Sequence, residues 1–251
     1  MSKPTWLIVA FTLVVCVVAS QRSAGQTEST SLFVTVTDGA GRIVTGLESK
    51  HFEVVADGVR QTIASFSEAD EPMSLGIAIQ TSGNLKESLD GIRDALRQFT
   101  EASHAFNEIF LVSHASLPEA IGQAQAKLSQ SRKARRVLLV LADAPAQTSL
   151  AAGADWRASL WQNDVQLFYV GLSETAAEPK AAWQELTQAA GGTAFFPDST
   201  SELANALSRI ALELQHQYRL GLTSLPANLQ VRLNPPRGLP ALSLRVTHIG
   251  R

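Results

Sequence analysis

Cysteine is almost missing from this chain: its one cysteine, Cys16, lies inside an apolar N-terminal run. Beyond that run there is no thiol nucleophile, no disulfide and no cysteine-based metal site. A lipidated Cys16 is the sharper reading. The bulky Val15 before it suits such a site poorly, and an apolar filler is preferred. Charge of one sign is lacking too. The formal net charge is −2, with none of the basic excess that marks a nucleic-acid binder. The one basic cluster, Arg132, Lys133, Arg135 and Arg136, reads as a solvated helix end, where cations complement the helix dipole.

Catalytic motifs are also scarce. Neither phosphate-binding glycine pattern is present. A nucleophile elbow needs Gly-x-Ser-x-Gly, and Gln80-Thr81-Ser82-Gly83-Asn84 lacks the first glycine. Ser82 with His104 or His114 and Asp143 makes a triad only on paper, because nothing in the spacing demands it. Gly191-Gly192 follows a helical stretch, where a C-terminal cap is the simpler account. Trp156, Trp161 and Trp183 fall on predicted helices, where core packing is the default. Repeats of solenoid length and low-complexity tracts are absent.

What is present starts with an address. Lys3 precedes an uncharged run over residues 6–19, followed by small residues near Ser20 and Gly25. This is the layout of a secretory signal, shorter than the ~20 apolar residues of a permanent span. Residues 1–25 are therefore expected to be removed, leaving a secreted, periplasmic or cell-envelope protein with no membrane span. An anchor retained in place of cleavage is the alternative.

Residues 26–72 read as a small β module with an acidic linker. Leu32, Val34 and Val36 alternate as on one face of a strand. Strands are predicted over 52–55 and 61–66, joined by the hairpin signal Asp57-Gly58. From Met73 the pattern changes. The apolar runs at 75–79, 109–112, 137–141 and 165–171 suit strands buried on both faces. Between them lie helical stripes such as Leu85, Leu89, Ile92, Leu96 and Phe99. Alternation of this kind predicts an α/β fold over 73–215, a doubly wound and mostly parallel sheet. Residues 216–251 return to β character as a C-terminal β tail, with strands at 217–222, 229–233 and 242–246. Whether the module and the tail pack together stays open, although short isolated hairpins are marginal alone.

In open α/β sheets, ligands bind outside the carboxyl ends of the strands. The loops there are Gln80-Thr81-Ser82-Gly83-Asn84, Ser113-His114-Ala115-Ser116 and Ala142-Asp143-Ala144-Pro145. They offer hydroxyls, amides and one carboxylate, a set suited in kind to a hard cation such as Mg²⁺.

The chain resembles the von Willebrand factor type A-related proteins, in particular a secreted bacterial subfamily. The residues that carry the likeness are Val36-Thr37-Asp38, Gly41-Arg42, Val44, Gly46-Leu47, Phe52-Glu53-Val54, Asp57-Gly58, Gln61, Ile63 and Phe66. Later come Ala190-Gly191-Gly192, Phe195-Phe196 and Gln217-Tyr218-Arg219-Leu220-Gly221. The resemblance implies a type A domain flanked by β segments, with a metal-ion-dependent adhesion site of Asp-x-Ser-x-Ser type after its first strand. The matching positions here are Gln80, Ser82 and Asn84. Gln80 replaces the acid and Asn84 replaces a hydroxyl. Asp143 matches the acidic residue of the third loop, and Ser116, with Ser113 behind it, stands for the family's threonine. The vestigial set is thus Ser82, Asn84, Ser116 and Asp143, carrying one formal charge. At an intermediate dielectric a carboxylate about 4 Å from a cation contributes a few kcal/mol. Losing ~2 kcal/mol of net binding weakens affinity roughly 30-fold. The expectation is weak or no Mg²⁺ binding, no other cofactor and no catalysis. Function then rests on a protein partner meeting the strand-end loops, with no nucleic acid involved. A divalent-cation-dependent adhesion receptor is the alternative, and a hydrolase a distant third.

Overall fold

The structure is a computed structural model that describes residues 30–69, 71–81, 89–142, 154–172, 177–224, 228–236, 238 and 241–249. Among these residues twelve strands form three sheets, accompanied by five α-helices. The leader expected over 1–25, and Ser82, Asn84 and Asp143, lie outside them. Among the described residues no helix is long and apolar enough to cross a membrane.

The central layer is a five-stranded parallel sheet of β5 (Ser74–Gln80), β6 (Glu108–His114), β7 (Arg136–Ala142), β8 (Val165–Gly171) and β9 (Ala194–Phe195). Its spatial order is β6-β5-β7-β8-β9, parallel throughout. The apolar runs of β7 and β8 are buried along their length because helices cover both faces. Val137, Leu139 and Leu141 point to one side, with α1 (Leu89–Glu101) and α5 (Thr200–Gln215) above them. Leu138, Val140 and Ala142 point to the other, under α2 (Leu117–Ser129), α3 (Ala154–Gln162) and α4 (Ala177–Ala189). The period-two alternation of a strand assigns each residue to its face.

The two ends of the chain interleave. β1 (Thr30–Asp38) lies between β10 (Gln217–Leu222) and β12 (Leu242–Ile249), antiparallel to both. β4 (Ser65–Ala69) completes that sheet on β10, while β2 (Phe52–Ala56) pairs with β3 (Val59–Gln61) and β11 (Leu229–Leu233) in a second sheet. Leu32, Val34, Phe52, Val54, Tyr218 and Leu220 fill the space between the two sheets. Module and tail are thus one β unit built from both termini. Tyr218 pins it: its hydroxyl donates to the Val44 carbonyl at 2.9 Å and accepts from the Leu47 N–H at 3.0 Å.

Three sequence expectations need correction. The single strand at 61–66 is two: β3 stays with the hairpin, and after a break the chain crosses to the other sheet as β4. Periodicity alone does not reveal a sheet change. Trp161 is 48% exposed at the end of α3, whereas Trp183 is buried and stacks on Tyr169 with ring centroids 3.9 Å apart. The basic cluster is not wholly solvated. Arg135 is buried, donates to the Leu214 carbonyl at 2.8 Å and the Gln217 Oε1 at 2.6 Å, and covers the Phe33 ring. Its guanidinium joins the parallel-sheet unit to the β unit, a role that one strongly basic stretch conceals.

Gly191 does what the sequence asked of it. It follows α4 with φ +75°, and the N–H groups of Gly191 and Gly192 return to the carbonyls of Gln188 and Thr187. This is the left-handed C-terminal cap that glycine permits without steric cost.

Candidate functional site

Parallel order brings the carboxyl ends of β5, β6, β7 and β8 to one edge of the sheet. Neighbours β5 and β7 send the chain to opposite faces, toward α1 and α3. Such a divergence of adjacent strands is the usual ligand position of open parallel sheets. Gln80 is the last residue of β5 and Ala142 the last of β7.

Gln80 stands in register with His114, the last residue of β6. The next residue, Thr81, extends the contact, its N–H donating to the His114 carbonyl at 2.9 Å. Ser116 follows at the N-cap of α2, half-buried and with extended backbone. Its carbonyl accepts the Ala120 N–H at 3.1 Å, but its hydroxyl makes no capping bond. The structure therefore brings Gln80, His114 and Ser116 to one sheet edge. The placements of Ser82, Asn84 and Asp143 lie outside the described residues.

His114 is bound into this edge. Its Nδ1 lies 3.0 Å from the Ser116 N–H and 2.8 Å from Glu119 Oε2. One nitrogen serves one of these at a time: its lone pair accepts from the amide, or its proton is donated to the carboxylate. The glutamate was not singled out from the sequence, although a histidine and an acid five residues on, across a helix start, is the signal that finds it. His104, the other histidine of the paper triad, precedes β6 and so sits at the opposite edge of the sheet from Thr81. The seven residues of β6 separate the two edges, about 20 Å at strand rise.

Ser116, the one described member of the vestigial metal set, offers a hydroxyl, and Gln80, which stands where the acid was expected, offers a neutral amide oxygen. Neither carries the formal charge that a hard divalent cation seeks. Among the described residues no three His, Cys, Asp or Glu side chains gather as a metal site.

A cavity of about 590 Å³ lies elsewhere, at the seam between α5 and the β unit. Arg42, Arg209, Arg245 and Glu213 line it beside Phe195 and Leu212. Its charges are answered from within the chain. Arg42 pairs with Asp38 at 2.7 Å and Arg245 with Glu213 at 2.6 Å, while Arg209 covers the Phe195 ring and donates to the Gly41 carbonyl. The Arg42 N–H and guanidinium hold the Asp38 carboxyl below its ordinary range. Burial pushes the Glu213 carboxyl upward, against the pull of Arg245. A second groove, about 440 Å³ and mostly apolar, runs between α1 and the outer edge of β6.

Compared with family models, curated proteins and solved structures, the chain matches none.

Proposed function

We propose that this protein is a non-catalytic interaction module of von Willebrand factor type A kind, working outside the cytoplasm. Its partner is a protein that meets the loops at the carboxyl edge of the parallel sheet, with little or no metal. The reading supposes a doubly wound domain with its recognition loops at the switch point between β5 and β7.

One observation carries most of the proposal. Gln80 occupies the end of β5 beside that switch point, where the adhesion motif has its acid. An amide there keeps an oxygen but not the charge, and the charge supplies most of the attraction for a divalent cation. Ser116 adds a hydroxyl uncommitted to helix capping, equally suited to a hydrogen bond from a partner's backbone.

Calorimetric titration of the secreted protein with Mg²⁺ and with Mn²⁺ tests this. The proposal predicts no binding heat from either ion. Heat that disappears in Asp143→Ala would establish the cation-dependent receptor in its place. Turnover of an ester or peptide that is lost in Ser82→Ala would establish a hydrolase.

A further inference from the structure

The two edges of the parallel sheet are finished very differently. At one edge β9 is only two residues long and runs within two residues into Pro197. Shortness and proline are ordinary ways to keep an edge from pairing. At the other edge β6 is seven residues long and carries neither lysine nor proline. Among the described residues no strand pairs with its outer side.

The backbone parity of β6 follows from its inner ladder. The Glu108 N–H donates to the Met73 carbonyl, and the His114 carbonyl accepts from the Thr81 N–H. Glu108, Phe110, Val112 and His114 therefore turn their peptide groups toward β5. Ile109, Leu111 and Ser113 turn theirs outward. The same three residues place their side chains along the apolar groove against Ile92 and Leu96 of α1, with Leu111 61% and Ile109 39% exposed. An outward row of amides and carbonyls beside exposed aliphatic side chains is a template for another strand.

We infer that the outer edge of β6 pairs antiparallel with β6 of a second copy, about a two-fold axis at Leu111, giving one continuous ten-stranded sheet. The strand reads Glu-Ile-Phe-Leu-Val-Ser-His and is self-complementary in that register. Leu111 meets Leu111 of the other copy, Ile109 meets Ser113, Phe110 meets Val112 and Glu108 meets His114. Leu111 with its mate and the two Ile109–Ser113 pairs are the hydrogen-bonded ones, because those are the residues whose peptide groups face outward. An acid lies opposite a histidine at both ends. No two like charges therefore meet across the ladder, where they would oppose pairing.

Helix α1 supports the same axis. Asp90, Arg93, Asp94 and Arg97 form one stripe, with Arg93 bonded to Asp90 and Arg97 to Asp94 within the helix. A two-fold axis normal to the sheet leaves both copies of α1 on the same face and antiparallel. Read in reverse, the stripe places Arg97 against Asp90 and Asp94 against Arg93, so the two helices present opposite signs to one another. Edge-to-edge pairing through identical strands is isologous and closes at two. The short β9 edge offers no route to a longer stack. This pairing does not depend on what the strand-end loops bind.

The experiment uses the full chain, expressed with its leader and purified as the cell processes it, in a Cys16→Ser background. Sedimentation equilibrium over micromolar concentrations is expected to show a dimer. In Leu111→Cys the two cysteines face each other as a hydrogen-bonded antiparallel pair with Cα atoms about 5.5 Å apart, within disulfide reach. Mild oxidation should convert most of that variant to a covalent dimer, whereas Val59→Cys, exposed on the other unit, should stay largely unlinked. Leu111→Pro removes the outward-facing N–H and the leucine side chain but no bond of the inner ladder, and should give a monomer with an unchanged circular dichroism spectrum. A wild type that sediments as a monomer throughout would overturn the inference. So would a dimer in which Leu111→Cys links no faster than Val59→Cys, or a monomer whose β6 edge takes up only an unrelated extended peptide.

Discussion

The Gln217 side-chain amide donates to the Thr35 hydroxyl at 2.8 Å, and that hydroxyl donates in turn to Glu213 Oε1 at 3.1 Å. The relay continues at both ends, with Arg135 donating to Gln217 Oε1 and Arg245 pairing with the other Glu213 oxygen at 2.6 Å. Thr35, Arg135, Glu213 and Gln217 are all buried. Five side chains from β1, α5, β10, β12 and the approach to β7 thus form one polar chain across the seam between the two units. In so dry a place each partner is needed, because a stranded buried charge or amide costs more than the bond it lost.

Arg245→Met leaves the Glu213 carboxylate buried without its cation. Urea denaturation should show a loss of about 3–5 kcal/mol, the usual cost of breaking a buried ion pair from one side. Glu213→Gln should cost less, since Arg245 is partly exposed and can turn toward water.

The pH dependence carries a sign. Burial raises the native Glu213 pKa above its ordinary value of 4.5. Between those two values the unfolded chain has released a proton that the native protein keeps, so rising pH favours unfolding. The stability from this group is fully present below pH 4.5 and is lost as pH climbs through the raised native value. Glu213→Gln removes that dependence, and its stability relative to wild type should improve as pH rises from 4.5. A difference that stays flat or falls would show that Arg245 and Thr35 outweigh burial.

Arg135→Lys keeps the charge but loses the planar guanidinium, whose Nη2 donates to both the Leu214 carbonyl and Gln217 while Nη1 reaches the Glu71 carbonyl. A destabilisation of about 2–3 kcal/mol is expected in urea, one charge-assisted hydrogen bond forgone.

Tyr218→Phe should lose about 1–2 kcal/mol in thermal or urea unfolding. The change strands the Leu47 N–H and frees the Val44 carbonyl inside the β unit. The ring cluster with Phe52 and Phe66 stays filled, so far-ultraviolet dichroism should change little.

Two glycines should respond in opposite directions. A side chain at Gly192 collides with the Leu167 carbonyl, so Gly192→Ala should yield little folded protein. Gly122 is exposed on α2 with open space around it, and Gly122→Ala should stabilise by about 0.5–1 kcal/mol through helix propensity alone.

Much of the architecture could be read from the residues because buried parallel strands and amphipathic helices each leave a periodic trace. The runs at 75–79, 137–141 and 165–171 became β5, β7 and β8, and the strands at 217–222 and 229–233 fell where expected. What escaped depends on pairing over long separations. Nothing local in Leu32, Val34 and Val36 says that β1 joins strands about 180 and 210 residues later. Arg135 and Glu213 look like surface charges until their partners arrive from other elements. At the candidate site, the alignment of Gln80 with His114 follows from parallel register. The grip of Glu119 on His114 does not, because it depends on how α2 begins.

The most direct measurement is capture of cell-envelope proteins on the immobilised protein, with and without a chelator, set beside a Thr81→Arg variant that blocks the sheet edge. Recognition by metal-free loops predicts the same retained partner in both buffers and its loss from the variant. A partner released by the chelator, or one held equally well by Thr81→Arg, would contradict it.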